Sequence, residues 1–346
     1  MKLKPYFEKN SVAVSITSSD EYSPFLQVLI RSIVSNSSQS TCYDIVVLDD
    51  GIETHHKCQI EHLIKDNSNI SIRFFDVSNF FDGVKLHTAM HVTKSTYNRL
   101  MAIKIFSEYE KVLYLDCDTV VNDDIAKLYN TDVSGYLLAA VADSIMGGWC
   151  YMDSSDFVLE QKSYIEKELG ITNPHLYFNA GVMLLNIKEF NKQCLTSEKL
   201  LDIASQRKWK WFDQDVLNLV CKDKVLLLSN RWNTEVHVYS KIEDISEWYM
   251  PDEYFKEYLS SIENPLIVHY AGHVLPVYEP LVDRADLFWK YAHETTIFWD
   301  LYNMEVIETV RKYKKIPFFE RIKNHILPYG STRREMVKRI VKAVSK

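Results

Sequence analysis

Glycine is scarce in this chain, with 9 among 346 residues, and neither a GxGxxG nor a GxxxxGK[ST] run occurs. Both of those loops need clustered glycines to bring backbone N–H groups against a diphosphate, so a dinucleotide Rossmann site and a P-loop are disfavoured. The six cysteines, at 42, 58, 117, 150, 194 and 221, form no CxxC pair. That argues against a zinc ribbon or a disulfide framework and for a reducing compartment. Nowhere do about 18 apolar residues run together, and "MKLKPYFEKN" holds no apolar stretch of signal-peptide length. The expectation is therefore a cytoplasmic chain, neither spanning nor secreted. Positive charge is also short over most of the length. The net charge is -7, yet residues 311–346 carry 12 Lys and Arg against 2 Glu. An acidic body with a basic tail does not suit an extended nucleic-acid groove, and no nucleic-acid partner is expected.

What is present is an alternation of strand and helix patterns. "SVAVSIT" alternates as a strand, and "SPFLQVLIRSIVSN" follows as a helix with Ser23 as N-cap, Pro24 at its first position and Phe25, Val28, Leu29 and Ile33 on one face. "YDIVVLDDG" and "ISIRFFDVS" read as strands around the helix "HHKCQIEHLIKD". "STYNRLMAIKIFSEY" reads as a helix leading into the strand "KVLYLDCDTVV", and "GYLLAAVAD" as a further strand ending at Asp143. Such alternation implies an α/β fold, a mostly parallel sheet covered on both faces by helices. Ligands of such sheets gather at the carboxyl ends of strands, where Asp116, Asp118 and Asp143 would lie.

The pair Asp116 and Asp118 is the central puzzle, because a buried strand delivers two carboxylates separated by one residue and therefore pointing to one side. Three readings compete. One is a solvated, capped strand end. Another is the "DxDxT" or "DxDxV" nucleophile motif of haloacid-dehalogenase-type phosphatases, which "DCDTV" matches, although that motif belongs on the first strand of its domain and several strands precede Asp116 here. The last is a divalent cation that neutralises a diphosphate leaving group. "IVHYAGH" offers His269 at another strand end, and an imidazole joined to two carboxylates suits manganese better than magnesium.

"VLYLDCDTVV", "YFNAGVMLLNI", "WFDQDVLN" and "HYAGH", in this order and at these spacings, resemble the retaining glycosyltransferases of family 8, which include glycogenin and bacterial lipopolysaccharide glucosyl- and galactosyltransferases. The resemblance runs from about Val12 to Val277. It implies the GT-A fold, a Rossmann-like, mostly parallel mixed sheet, here with a catalytic domain over residues 1–282 and a helical basic extension over 283–346. It further implies a UDP-sugar donor, UDP-glucose or UDP-galactose, and Mn2+ (or Mg2+) as cofactor. Carried over by position, Asp116, Asp118 and His269 would be the metal ligands. Thr17, Ser19 and Tyr22 would form the uracil and ribose site, with Tyr22 stacked on the base. His91 would lie near the transferred sugar and Arg99 would pair with donor phosphate or sugar oxygens. Asp143 and Asn179 would hold sugar hydroxyls, while Asp213 and Gln214 flank the anomeric carbon. Read without the resemblance, Asp213 is equally a helix N-cap, Asn179 a turn residue and Arg99 a surface charge.

One departure stands out. The family pattern HxxGxxKPW reads "HYAGHVLPV" here, so His269, Gly272 and Pro276 match while the phosphate-binding Lys is Leu275 and the Trp is Val277. His273, two residues earlier, is a substitute donor in this reading, and Leu275→Lys would then strengthen UDP binding. The departure also keeps open a lapsed enzyme that binds sugar nucleotides or glycans. In the tail, "STRREMVKRIVKAVSK" carries a capping box, Thr332 and Glu335, with Met336, Val337, Ile340, Val341 and Val344 on one helical face and basic residues on the rest. That pattern suits an anionic membrane surface on the inner face, or a helix packed on the body. The expected function is a retaining hexosyltransferase acting on a glycan, lipid-linked or glycoprotein acceptor of a bacterial cell surface.

Overall fold

The computed structural model describes residues 3–81, 84–88, 94–151, 156–236, 250–272 and 274–315, together with 325–326, 331, 333–334 and 336–337. His91, His273, Thr332 and Glu335 lie outside the described residues. The chain opens with β1 (Ser11–Ser19), α1 (Ser23–Asn36), β2 (Cys42–Asp50), α2 (Thr54–His62) and β3 (Ile70–Asp76). After a short 3-10 turn come α3 (Asn98–Ile105), β4 (Val112–Asp116), β5 (Thr119–Val121), α4 (Ala126–Tyr129), β6 (Leu138–Ala142), α5 (Ser144–Tyr151) and α6 (Asp156–Glu168). Next are β7 (Phe178–Leu185), α7 (Ile187–Lys192), α8 (Ser197–Gln206), α9 (Phe212–Cys221), β8 (Val225–Leu228) and β9 (Thr234–Glu235). The last described elements of any length are α10 (Asp252–Glu263), β10 (Ile267–His269), α11 (Ala285–Ala292) and α12 (Phe298–Lys315).

Seven strands form one sheet in the order β3-β2-β1-β4-β7-β6-β8, and β5-β10-β9 form a smaller one. Within the large sheet only β7 runs against its neighbours, pairing antiparallel with β4 and β6. The central strands are buried on both faces, which is why β2 and β7 read as continuous apolar runs, not as alternations. One apolar cluster, including Leu100, Ile103, Tyr114 and Met183, covers one face, and a second, including Leu26, Ile30, Ile45 and Leu115, covers the other.

Two local expectations change. Ser23 is not the cap of α1: the helix begins at Ser23 itself, Tyr22 precedes it without a side-chain cap, and Pro24 sits in the first turn. The stretch Lys111 to Val121 is not one strand. β4 stops at Asp116, a turn carries Cys117 and Asp118, and β5 departs to the small sheet. The Thr119 hydroxyl donates to the Asp116 carbonyl at 2.7 Å, closing that turn, while Tyr270 N–H donates to the Asp118 carbonyl at 3.0 Å. The two aspartates therefore stand at the joint between the sheets, where β10 brings His269 alongside. A third apolar cluster joins α1, β10, α11 and α12 through Phe25, Val268, Phe288 and Leu301, so helices on both sides of position 282 share one core.

His175, just before β7, is buried and stacks on Tyr254 with ring centroids 3.5 Å apart. Burial pushes its imidazole down to about 4. Between the unfolded value near 6.5 and that folded value, the unfolded chain binds a proton that the native state refuses, so this residue lowers stability as pH falls. His175→Gln is expected to melt below wild type at pH 8, where the stacking on Tyr254 is lost without any gain from the proton. The gap should narrow at pH 4.5. Differential scanning fluorimetry across that range checks it, and a constant gap refutes it.

Candidate functional site

A cavity of about 460 Å³ opens where the two sheets meet. Its polar wall carries Asp116, Asp118, Asp143, Asn179, Asp213 and Gln214, with Arg99, His269 and Gly272 also at the lining. They come from strand ends, helix starts and the loops beside them: α3, β4 and its turn, β6, β7, α9, and β10 with the loop after it. The cavity thus gathers predicted residues from Arg99 to Gly272, with Asp116, Asp118 and Asp143 at the carboxyl ends of parallel strands and Asn179 at the start of the antiparallel β7 between them. Thr17, Ser19 and Tyr22 are not part of its lining, although Thr17 is the register partner of Asp116. Tyr22 is half-buried and meets Phe25 edge-to-face at 5.7 Å.

Asp116, Asp118 and His269 each offer a ligand atom, and these atoms all lie within 4.8 Å of one another. His269 Nε2 is 3.3 Å from Asp118 Oδ1 and 4.0 Å from an Asp116 oxygen. Asp118 Oδ1 is buried. A buried carboxylate oxygen whose one neighbouring donor is the imidazole, beside a second carboxylate, fits a divalent cation of borderline hardness. Burial opposes charge on His269, but Asp118 and Asp116 outweigh it and push the imidazole up to about 9. A cation entering there displaces that proton.

Asn233 stands behind the imidazole, fully buried, with Oδ1 3.0 Å from His269 Nδ1. The contact makes Nδ1 the protonated nitrogen and turns Nε2 to the carboxylates. The Asn233 amide donates to Asn179 Oδ1 at 2.9 Å, Asn179 donates to Glu235 Oε1 at 3.0 Å, and Glu235 Oε2 accepts from Ser144 N at 2.8 Å. Asn179 Oδ1 also accepts from Gly181 N at 2.8 Å. Burial pushes the pKa of the Glu235 carboxyl up, and the neighbouring Asp143 pushes it further. Asn179 is therefore engaged by protein partners throughout, with Glu235 and Asp143 both taking hydrogen bonds from its side chain. Asn233 and Glu235 were missed in the sequence. They flank and form a two-residue strand, too short for any periodicity, and the one available signal was polar residues in a row beside an apolar one.

On the facing side, the Gln214 amide donates to Asp143 Oδ2 at 2.9 Å and its oxygen accepts from Ala180 N at 3.0 Å, so the amide is fixed at both ends. Asp143 Oδ1 accepts from Met146 N at 2.7 Å, and burial raises the Asp143 carboxyl above its ordinary range. Asp213 does not cap α9. It accepts from the Thr96 hydroxyl at 2.6 Å and pairs with Arg99 at 2.8 Å, while Asp215 accepts from Trp211 N at 2.8 Å. Phe212, just before, holds φ +51°, a left-handed conformation that a bulky residue adopts only where its surroundings impose it. That bend turns Asp213 and Gln214 into the cavity.

Arg99 is buried between Asp116 and Asp213. Its Nη2 donates to both Asp116 oxygens at 2.9 and 3.1 Å, and its Nη1 to the Ala180 carbonyl at 2.7 Å. Burial opposes its charge, but the two aspartates hold it firmly protonated. Arg99 thus acts on the site by orienting two carboxylates, with little capacity left for donor oxygens.

Gly181 shows how tightly the centre is built. A Cβ there would lie 2.3 Å from His269 Cε1 and 2.8 Å from Nδ1. Gly181→Ala must displace the imidazole, and a loss of about tenfold or more in divalent-cation affinity is expected. Titration of free Mn2+ by electron paramagnetic resonance checks this, and unchanged affinity contradicts it.

The profile of glycosyl transferase family 8 matches residues 13–276. General stress protein A of Bacillus subtilis (strain 168) is 28% identical over 264 residues, covering 74% of this chain and 84% of that protein. Lipopolysaccharide 1,2-glucosyltransferase of Escherichia coli (strain K12) is 26% identical over 241 residues, and the alignment spans 62% of its length. Among solved structures, the WbbM bifunctional glycosyltransferase aligns with a TM-score of 0.77 and 31% identity, over 88% of this chain and 53% of that one. The galactosyltransferase LgtC, solved with donor and acceptor sugar analogues, has a TM-score of 0.63 and 23% identity over 82% of this chain and 96% of that one. The fold is GT-A, as the four sequence segments implied. With the match running through every strand that lines the cavity, the chain belongs to glycosyl transferase family 8.

Proposed function

We propose that this family 8 glycosyltransferase moves a hexose from UDP-glucose or UDP-galactose, with retention, to a glycan, lipid-linked or glycoprotein acceptor of a bacterial cell surface. The observation that carries the reading is the convergence of Asp116, Asp118 and His269 on one wall of a cavity that also holds Asp143, Asp213 and Gln214. Mn2+ (or Mg2+) held by those three ligands would stabilise the charge that develops on the diphosphate leaving group. Arg99 keeps Asp116 and Asp213 oriented. Gln214 and Asp143, fixed to each other, present a rigid polar edge to the sugar, and His91 would contact it. Trp211, Phe212, Val236 and Val274 give the cavity an apolar wall that excludes water, so that an acceptor hydroxyl meets the anomeric carbon in its place. Front-side attack accounts for retention in this reading, because Gln214 is a weak nucleophile and Asp213 is engaged by Arg99 and Thr96.

Residues 311–346, with their basic excess, would hold the protein at the inner face of an anionic membrane; no helix among the described residues is long and apolar enough to cross one. A second reading, a lapsed enzyme that binds sugar nucleotides or glycans, draws on Leu275 and Val277 where the family pattern carries a Lys and a Trp. A thermal-shift panel separates the readings: UDP, UDP-glucose, UDP-galactose and p-nitrophenyl phosphate, each with and without Mn2+. Stabilisation by a UDP-sugar only with Mn2+, followed by its slow hydrolysis, supports transfer. Stabilisation without turnover supports the binding protein, and a response to p-nitrophenyl phosphate alone supports a phosphatase.

A further inference from the structure

A second opening, of about 480 Å³, lies between α6 and the segment that joins α8 to α9. That segment reads "QRKWKW", residues 206–211, with three cations in four consecutive positions and two tryptophans among them. Such charge is out of character here. Residues 311–346 hold 12 of the 40 Lys and Arg but only 2 of the 47 Asp and Glu, so the body that carries this segment is strongly acidic. Trp209 is buried and its indole donates to the Ile203 carbonyl at 3.0 Å, which anchors the segment and leaves Arg207 and Lys208 exposed. Arg207 lies over the Trp209 ring at 4.0 Å, and the Lys210 ammonium over the Tyr164 ring at 4.8 Å. Cations laid on aromatic faces keep a defined position that a free surface lysine does not have. Two carboxylates also line the opening, and both are taken: Glu168 pairs with Arg207 and Glu160 with Lys210. Lys167 on α6 and Lys208 on the joining segment are exposed and have no carboxylate partner among the described residues. The opening therefore keeps two uncompensated positive charges.

We propose that this opening receives a phosphate group carried by the acceptor, so that the acceptor is an anionic, phosphate-bearing glycan. Lys167 and Lys208 contact the phosphate oxygens, and the ring-held Arg207 and Lys210 add to the positive field around them. Continuity with the cavity gives the direction. Lys210 lines the opening, and Trp211, the next residue, lines the apolar wall of the cavity. One helix braces both. On α6, the Tyr164 hydroxyl accepts from Lys210 N at 3.4 Å and donates to Asp215 at 2.7 Å, while Gln161 Oε1 accepts from the Trp211 indole at 3.2 Å. A glycan whose last sugar sits in the cavity would leave past Trp211 and meet the cations next. The donor has no claim on them: its diphosphate belongs with the metal at Asp116, Asp118 and His269, and none of those lines the opening. Free inorganic phosphate offers the same oxygens without the sugar, and the test separates the two. The acceptor role rests on the transferase reading above, whereas the anion site does not.

The test is ligand-observed nuclear magnetic resonance on the full chain, titrated with glucose 6-phosphate, glucose and inorganic phosphate, each alone and in saturating UDP and Mg2+. The variant Lys167→Ala/Lys208→Ala alters exposed positions only, and Lys9→Ala/Lys65→Ala removes the same charge from exposed positions elsewhere. Four results together support the proposal: glucose 6-phosphate binds about tenfold or more tighter than glucose, keeps that affinity with UDP bound, weakens with added salt, and loses about tenfold in Lys167→Ala/Lys208→Ala but little in the other variant. Equal loss in both variants overturns it as a general attraction between charges. Displacement by UDP overturns it, because the phosphate then sits in the donor cavity. Equal affinity for inorganic phosphate and glucose 6-phosphate overturns the acceptor role and leaves a free-phosphate site, and no preference for glucose 6-phosphate over glucose overturns the proposal outright. Calorimetric titration of the wild type with UDP in saturating Mn2+ reports the donor site separately. If UDP does not bind there, the transferase reading falls and the acceptor role falls with it, while the phosphate titration still decides whether the opening is an anion site.

Discussion

Asp118→Ala is expected to abolish Mn2+-dependent binding of UDP, a loss of at least about a hundredfold, while the protein still unfolds cooperatively near the wild-type temperature. Asp118 sits partly exposed in the turn between β4 and β5, where the turn is held by its backbone, the Tyr270 N–H donating to the Asp118 carbonyl. What it contributes is a carboxylate whose Oδ1 faces His269 Nε2 and no other donor. Removing it takes away one of three ligands and also the charge that draws a proton onto His269. Asn233→Ala gives the graded comparison. It leaves all three ligands but frees the imidazole to rotate and to change tautomer, so a loss of roughly ten- to hundredfold in Mn2+ affinity is expected, the range typical of outer-shell partners. Asn233→Asp, which still accepts from Nδ1–H, should recover most of it. Asn186→Ala serves as the control, since Asn186 bonds the Val133 and Tyr136 carbonyls far from the cavity; it should cost stability and leave Mn2+ affinity alone. Calorimetric titration with Mn2+, then with UDP in saturating Mn2+, reads each value. Unchanged Mn2+-dependent UDP affinity in Asp118→Ala would remove the metal centre from the proposed function.

The parallel sheet was readable because buried strands announce themselves. β2, β4 and β7 are apolar runs of strand length, and the runs of β4 and β6 lead straight into cavity carboxylates, Asp116 and Asp143. Asp116, Asp118 and Asp143 follow from the rule that ligands gather at carboxyl ends, whereas Asn179 stands at the start of β7 and its role was implied by the family resemblance. The small sheet was hidden, because β5, β9 and β10 are three, two and three residues long, and no pattern of period two can be seen in so few. This is why "KVLYLDCDTVV" reads as one strand although the chain turns at Cys117, and why Asn233 and Glu235 went unseen. The roles of polar residues were less legible still. Arg99 looks like a free cation in sequence, and only packing reveals that Asp116 and Asp213 claim it. Asp213 and Asp215 are indistinguishable as letters in "WFDQDV". The left-handed Phe212 decides that the first faces the cavity and the second faces the Tyr164 and Tyr177 hydroxyls.

Leu275 shows the same limit with the largest consequence for stability. Its position in the family pattern suggests that Leu275→Lys restores a phosphate contact and tightens UDP binding. The structure reverses that expectation. Leu275 is 2% exposed and packs in the cluster of Phe25, Val28, Val268 and Phe288, and its carbonyl accepts from Tyr278 N and Glu279 N at 2.8 and 2.9 Å. A Lys there would lose the apolar contacts and carry an ammonium without a partner into the core. A destabilisation of about 3 kcal/mol or more follows, with weaker, not stronger, UDP binding. Val274, its neighbour, is the residue that lines the cavity. Val274→Lys would place an ammonium where a diphosphate passes, and one charge-assisted hydrogen bond of about 1.5 to 3 kcal/mol corresponds to roughly ten- to hundredfold tighter UDP. Thermal melts and UDP calorimetry in saturating Mn2+ compare the two variants directly. If Leu275→Lys melts like wild type and tightens UDP, the loop after β10 packs differently from what is described here. If Val274→Lys folds normally and leaves UDP affinity unchanged, the diphosphate does not run along this edge, and the apolar wall there belongs to the acceptor side of the cavity.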